Sequence, residues 1–556
     1  MKFIFVSGGV ISGLGKGITT SSIALLLKSR GFRVAPIKCD AYVNIDAGTI
    51  RPQEHGEVFV CNDGIECDQD LGNYERFLGE TLSRANYVTT GQVYQEVIRK
   101  ERAFEYEGED VEVVPHIPEE MIRRFKEAGK KMKADFVLIE IGGTVGEYQN
   151  ILFIEANRIM KVRDGEEVIH VHVGYLPTPP SIGEMKSKPV QNSVRTLNET
   201  GIQPDLLVGR AGKDLDKWRK ERLALFCNIP VENIISNPDV ESIYEVPLIL
   251  DRQKVAEKIL RKFKMKPRKN KDLKEWRQIV KKIKKISRNN KRKVRIGMVS
   301  KYQQVGAFEL DDAYVSVVEA IKHAAWASDV KPEIIWINSE KIEKLGKSYL
   351  ENKMSLVDGV IVPQGWGSRG VEGKIKAIQY AREKKTPYLG LCFGMQMAVI
   401  EFGRNVVNLK KANTMEADPK TPYPVIHIMP DQKEYLAKRQ YGGTIRLGGW
   451  KCRVLAGTRL AKIYGNSGII SERHRHRYEF NNKYRDRYEK AGMRISGVSP
   501  DGKLVEAIEI PDHPFFIGTQ FHPEYQSSLL KPHPLFVELV KTSLKEQVKN
   551  NDIRET

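Results

Sequence analysis

Cys392 lies in Pro387-Tyr388-Leu389-Gly390-Leu391-Cys392-Phe393-Gly394-Met395-Gln396, which reads as an apolar strand, a tight turn and the start of a helix. Glycines stand at both second neighbours of the cysteine. That spacing permits a strained turn and close helix–strand packing, and a helix N-terminus favours a thiolate. Such a nucleophile needs a base and a group that orients the base. Gln520-Phe521-His522-Pro523-Glu524 follows the apolar run Phe515-Phe516-Ile517-Gly518 and offers both, as His522 and Glu524. A lone cysteine is most often a buried thiol. The elbow and the strand-end His-Pro-Glu together point to nucleophilic catalysis instead.

A second chemistry stands at the N-terminus. The strand Phe3-Ile4-Phe5-Val6 runs into Ser7-Gly8-Gly9-Val10-Ile11-Ser12-Gly13-Leu14-Gly15-Lys16-Gly17, and a helix follows. A glycine-rich turn between strand and helix cradles phosphate with backbone N–H groups, and Lys16 adds a point charge. The match to a P-loop is imperfect: Val10 stands where the first glycine would, and Gly17 replaces the Ser/Thr that usually follows the lysine. A metal beside this loop must therefore find carboxylates elsewhere. Asp70, in Asp68-Gln69-Asp70-Leu71-Gly72, and Glu140, ending the strand Phe136–Glu140, are the candidates for Mg2+.

These residues need a scaffold. Near-continuous apolar runs at 3–6, 33–38, 135–141, 168–173 and 205–210 alternate with helical stretches, as a doubly covered parallel sheet demands. The rhythm resumes at 294–299, 333–337, 359–365, 387–392, 424–429 and 515–521. The fold class is α/β: a phosphate-loop domain with a parallel sheet at 1–260, a basic linker at 261–293 and a second α/β domain at 294–556. The net charge of +19 is local. Residues 261–295 hold 18 Lys/Arg against Asp272 and Glu275, a net of +16, which leaves +3 for the rest of the chain. Like-charge blocks of this kind are usually solvated linkers, so no nucleic-acid partner is expected. Within the block, Leu273, Trp276, Val280 and Ile283 have the spacing of one docked helix. No membrane-length apolar run occurs, and six cysteines without a C-x-x-C pair fit a reducing, cytoplasmic setting.

Several longer stretches carry a family resemblance. They include His55-Gly56-Glu57-Val58-Phe59-Val60, Asp70-Leu71-Gly72-Asn73-Tyr74-Glu75-Arg76-Phe77, Ile141-Gly142-Gly143-Thr144-Val145-Gly146, Leu225-Phe226-Cys227-Asn228 and Arg473-His474-Arg475-His476-Arg477-Tyr478-Glu479. With the phosphate loop and the cysteine elbow, the chain resembles the CTP synthase family: an amidoligase (synthase) domain followed by a class I glutamine amidotransferase domain. The resemblance covers nearly the whole chain. It implies that ATP phosphorylates the uracil 4-oxygen of UTP and that ammonia from L-glutamine displaces the phosphate to give CTP. It also implies a Cys-His-Glu triad, GTP as activator and a homotetramer.

The resemblance assigns residues as well. Ser12, Gly13, Leu14, Gly15, Lys16, Gly17 and Ile18 would hold the triphosphates, with Lys38 beside the transferred phosphate and Asp239-Val240 against adenine. UTP or product CTP would meet Glu147-Tyr148-Gln149, Lys186-Ser187-Lys188-Pro189-Val190-Gln191 and Arg222. Glutamine would meet Gly365, Phe393, Gly394, Met395, Gln396, Glu416 and Arg477, with the Gly365 and Phe393 N–H groups as oxyanion hole. Arg369-Gly370-Val371-Glu372 resembles the lid through which GTP acts. The sequence departs from the family pattern at Gln364-Gly365 (for Gly-Gly), Glu147-Tyr148-Gln149 (for Asp-Ile-Glu) and Arg222 (for Lys). Two other readings compete: a different phosphate-loop amidoligase, which would lack the Lys186–Gln191 segment, and a non-enzymatic nucleotide-binding scaffold, which would lack the nucleophile or the metal carboxylates.

Overall fold

The computed structural model describes residues 1–288, 292–301, 304–305, 308–309, 312–429 and 432–555. They form two compact units, Met1–Ala47 with Asp70–Val280, and Gly48–Gln69 with Lys281–Thr556. Residues 48–69, placed by the sequence reading within 1–260, thus belong to the second unit. Glu57 anchors them there: its carboxylate accepts the Ser316 N–H at 2.9 Å and the Ser316 hydroxyl.

The first unit is built on seven parallel strands: β1 (Lys2–Gly9), β2 (Val34–Asp40), β3 (Tyr87–Thr89), β4 (Phe136–Ile141), β5 (Val168–Tyr175), β6 (Leu206–Ala211) and β7 (Ile234–Pro238). Their spatial order is β3-β2-β4-β1-β5-β6-β7. Apolar residues on both faces explain the continuous runs: Ile4 and Val6 enter one core with Phe136 and Leu138, while Phe3 and Phe5 enter another with Val137 and Ile139. Three helices carry the chemistry: α1 (Lys16–Lys28), α2 (Asp70–Leu78) and α3 (Lys188–Glu199). The short edge strands β3 and β7 escaped the sequence reading because their apolar runs are too brief.

Within the basic segment Lys274–Arg288 form a helix, α4, and Trp276, Val280 and Ile283, with Leu273 just before it, are each at most 5% exposed. The Trp276 indole N–H donates to the Tyr244 carbonyl at 2.8 Å, and its ring lies 5.4 Å from Phe77. Asp251 receives Lys271 at 3.1 Å and Arg277 at 2.8 Å, which offsets part of the positive charge.

The second unit is built on a nine-stranded sheet: β8 (Lys293–Ser300), β9 (Lys331–Asn338), β10 (Gly359–Val362), β11 (Tyr388–Leu391), β12 (Arg446–Val454), β13 (Ile469–His476), β14 (Arg494–Val498), β15 (Val505–Glu509) and β16 (Phe516–Thr519), in the order β9-β8-β10-β11-β16-β15-β14-β12-β13. The half from β9 to β16 is parallel, and the remainder is antiparallel. Charged and polar residues interrupt those antiparallel strands, among them Lys451 and Arg453 in β12, Glu472 to His476 in β13 and Glu506 in β15, so a search for unbroken apolar runs passes over them. The run at 424–429 forms a strand (Tyr423–Ile428) of a separate three-stranded sheet. Helices α5 (Val371–Glu383) and α6 (Phe393–Asn405) cover the parallel half. Among the described residues no helix is long and apolar enough to cross a membrane.

Candidate functional site

In the first unit the phosphate loop joins β1 to α1. Gly13 and Gly15 adopt φ of 69° and 94°, and Gly15 caps α1 without any side chain, which leaves the first-turn N–H groups open to an anion. Lys16 is 8% exposed and donates to the Gly143 carbonyl at 2.8 Å. Burial lowers its pKa, against the opposing pull of Glu140. Gly17 explains the missing hydroxyl: a Cβ there would lie 2.0 Å from Asp70 Oδ1. The carboxylate at the head of α2 thus occupies the space that a Ser or Thr side chain takes in the usual loop.

Asp70 and Glu140 share one ammonium, since Lys38 Nζ pairs with Asp70 and lies 3.5 Å from Glu140 Oε1. The Tyr74 hydroxyl donates to the other Glu140 oxygen. Burial, then the Asp70 charge, pushes Glu140 up to about 8 despite Lys38 and Lys16. Two converging carboxylates short of positive charge are a hard-oxygen donor set that fits a divalent cation.

The predicted nucleotide residues lie on the same unit. Asp239 pairs with Arg210 at 2.8 Å. Arg210 also donates to the carbonyls of Leu14 at 3.1 Å and Asn237 at 2.8 Å. It ties the phosphate loop to the end of β7, and the sequence reading missed it, although it ends the apolar run 205–210. Glu147 accepts the Thr144 N–H at 2.9 Å, while Tyr148 and Gln149 are exposed. Lys188 to Gln191 form the first turn of α3, where the Gln191 amide donates to Ser187 Oγ at 3.0 Å; Lys186 pairs with Glu184 at 2.5 Å. Arg222 is exposed and stacks over Trp218 and Phe226, 5.2 and 5.4 Å from their ring centres.

In the second unit Cys392 sits between β11 and α6 with φ 50° and ψ −99°. A β-carbon residue held there stores about 1–3 kcal/mol of strain. Neighbouring contacts impose it: a Cβ on Gly394 would lie 2.0 Å from the Val362 carbonyl, and one on Gly390 2.8 Å from Gly394 C. The Cys392 N–H donates to Thr519 at 2.7 Å, and the Gln520 amide donates to Sγ at 3.5 Å. His522 Nδ1 lies 2.6 Å from Glu524 Oε1, with both residues at most 1% exposed. Burial opposes charge on His522, but Glu524 and Cys392 outweigh it and raise the imidazole to about 10. The ring is thereby prepared to hold a proton taken from Cys392.

A cavity of about 540 Å³ in this unit is lined by Glu416, Arg477, Tyr478, Trp366 and Arg369, together with Arg51 and Glu66 of the 48–69 segment. Glu416 accepts the Gly367 N–H at 2.6 Å, and burial raises its pKa. Arg477 donates to Gln432 at 2.9 Å and to Thr444 at 2.9 Å. Gln396 donates to the Tyr478 carbonyl at 2.9 Å and to Gln520 at 3.3 Å. Phe393, Gly394 and Met395 form the first turn of α6. Glu372 is held by Arg404 at 2.8 Å, and Arg369 by Glu340 at 3.2 Å. Gln364 donates to Glu57 at 3.4 Å, so its side chain ties the loop before Gly365 to the 48–69 segment.

Other members of this site gave no sequence signal strong enough to find them. Lys301 donates to the Gly367 carbonyl at 3.2 Å, and burial brings it down to about 8. Lys374, fully buried, donates to the Pro363 carbonyl at 3.0 Å. Both ammonium groups lie over the Phe393 ring, at 4.6 and 5.3 Å. Along β13, Arg473 donates to the Val60 carbonyl at 3.0 Å and Arg475 to Glu66 at 2.8 Å, so alternate residues of the Arg-His-Arg-His run hold the 48–69 segment.

Comparison with known proteins matches residues 2–265 to the model of the CTP synthase N-terminus and residues 309–542 to that of class I glutamine amidotransferases. The chain is 50% identical over 550 residues to the CTP synthase of Caldanaerobacter subterraneus subsp. tengcongensis, covering 99% of both chains. It is 50% identical to that of Carboxydothermus hydrogenoformans, over 98% of this chain and 99% of that one. It is 47% identical to that of a Synechococcus species, over 98% and 97%.

Proposed function

The chain belongs to the CTP synthase family and converts UTP to CTP with glutamine as nitrogen donor, and on that premise we propose how its residues divide the work. Lys16, Lys38 and the first-turn N–H groups of α1 bind the phosphates of ATP and stabilise charge on the phosphoryl group in transit to the uracil 4-oxygen. Asp70 and Glu140 hold Mg2+, which when bound neutralises triphosphate charge. Lys186 to Gln191 and Arg222 bind UTP, and Asp239-Val240 with Arg210 meet the adenine end of ATP. The observation that carries this half is the Asp70 carboxylate in the space denied to a Gly17 side chain.

In the second unit Cys392 attacks the glutamine amide, and His522, oriented by Glu524, takes the thiol proton and returns it to departing ammonia. Arg477 meets the α-carboxylate of glutamine and Glu416 its α-amine. The Gly365 and Phe393 N–H groups receive the oxyanion, where one donor is worth roughly 3–4 kcal/mol. Lys301 and Lys374 support the reading, because they brace the carbonyls of the loop that carries Gly365. GTP acts at Arg369, Gly370 and Glu372.

Leaving out UTP, ATP or the nitrogen source in turn should stop CTP formation each time. CTP made without ATP would sink the phosphorylation step. A smaller effect follows from Gln149, an amide where the family's usual carboxylate binds product. Gln149→Glu should lower the CTP concentration that half-inhibits the enzyme. Equal inhibition of both forms would show that this position does not set feedback.

A further inference from the structure

Beneath the phosphate loop a chain of buried polar side chains crosses the first unit. Ser7 of β1 stands in register with His172 of β5. Its hydroxyl lies 2.9 Å from His172 Nδ1 and 2.7 Å from His170 Nε2. His172 Nε2 continues to Ser193 Oγ on α3 at 2.8 Å, and His170 Nδ1 ends on the Asn157 amide at 2.5 Å. Ser193, at 8%, is the most exposed of the five.

The chain closes with both imidazoles neutral. Asn157 donates to His170, His170 Nε2–H to Ser7, the Ser7 hydroxyl to His172 Nδ1, and His172 Nε2–H to Ser193. Burial keeps His170 well below its ordinary pKa and takes His172 to about 3.

The ends of this chain meet two different binding elements. Ser7 lies just ahead of the phosphate loop. Ser193 lies two residues beyond Lys188–Gln191 on the same helix, so the chain links what receives ATP to what receives UTP. Backbone packing makes the link stiff. A Cβ on Gly9 would lie 1.5 Å from Ser193 Oγ and 2.9 Å from His172 Nε2, and one on Gly174 2.8 Å from Val190. Gly9 and Gly174 thus let Ser193 and Val190 of α3 pack directly against the backbones of β1 and β5.

We propose that His172 and Ser193 are positioning residues that hold the pyrimidine-binding turn of α3 in register with the phosphate loop, so that the uracil 4-oxygen meets the transferred phosphoryl group. The proposal rests on the assignment of Lys188–Gln191 to UTP, and a Lys188→Ala control tests that assignment separately.

The experiment is steady-state kinetics of ammonia-driven CTP synthesis in the full chain, with KM measured separately for UTP and ATP. Ser193→Ala should raise KM for UTP about tenfold, the scale of one lost buried hydrogen bond, with KM for ATP within about twofold of the parent. His172→Gln, which keeps a donor for Ser193, should bind UTP more tightly than His172→Ala. A general loss of packing would move both KM values together. Equal changes in both, or none in a folded Ser193→Ala protein, overturn the proposal. If Ser193→Ala does not fold, the histidine pair decides, and equal UTP KM in the two variants overturns it. Unchanged UTP affinity in Lys188→Ala refutes the assignment of the segment. A UTP defect in Lys188→Ala without one in Ser193→Ala refutes only the positioning role.

Discussion

Lys16→Ala is expected to abolish CTP formation from glutamine and from ammonia alike, by on the order of 10³-fold or more. The physical reason is the site of action. Lys16 is 8% exposed at the start of α1, where the other donors of the phosphate loop are backbone N–H groups, so its loss removes the loop's own side-chain charge on the triphosphate. Lys38 also serves the phosphates, but its charge is shared with Asp70 and Glu140 and does not replace that of Lys16. The nitrogen source is irrelevant to a step that precedes amination. Steady-state rates with each donor check this, with covalent labelling of Cys392 by a glutamine analogue showing that the second unit remains folded. A variant that recovers synthesis when ammonia is supplied would show that Lys16 serves some step other than phosphoryl transfer.

Cys392→Ala should separate the two activities. Glutamine-dependent synthesis should fall by on the order of 10³-fold or more, because the variant retains His522 and Glu524 but has no nucleophile. Ammonia-dependent synthesis should persist, since Lys16, Lys38, Asp70 and Glu140 are untouched. It should increase as pH rises, because only unprotonated ammonia attacks. Loss of both activities in a folded protein would overturn the two-site scheme. Retained glutamine activity would remove Cys392 from its role.

What the sequence made legible follows the physics of each element. Strands buried on both faces announce themselves by unbroken apolar runs, and β1, β2, β4, β5 and β6 fall where those runs lie. The elbow is legible because Gly390 and Gly394 flank Cys392 at positions where a Cβ would strike backbone. The docked face of α4 is legible because a helical period persists within a charged block. Other features depend on tertiary contacts that leave no local pattern. Residues 48–69 join the second unit through Glu57, Val60 and Glu66, whose partners lie roughly 250–410 positions away in sequence. The same holds for Arg210, Lys301 and Lys374, single cations whose meaning comes from the carbonyls they reach. The vacant hydroxyl position at Gly17 was visible as a departure, but the residue filling that space, Asp70, emerged only from packing.

In this mechanism ATP activates the uracil 4-oxygen as a phosphate leaving group before nitrogen enters. UTP carrying ¹⁸O at that oxygen tests it most directly, with the label followed by mass spectrometry into CTP, inorganic phosphate and water. One ¹⁸O is expected in inorganic phosphate for each CTP formed, with glutamine or with ammonia. Unlabelled phosphate, with the ¹⁸O released as water, would contradict it.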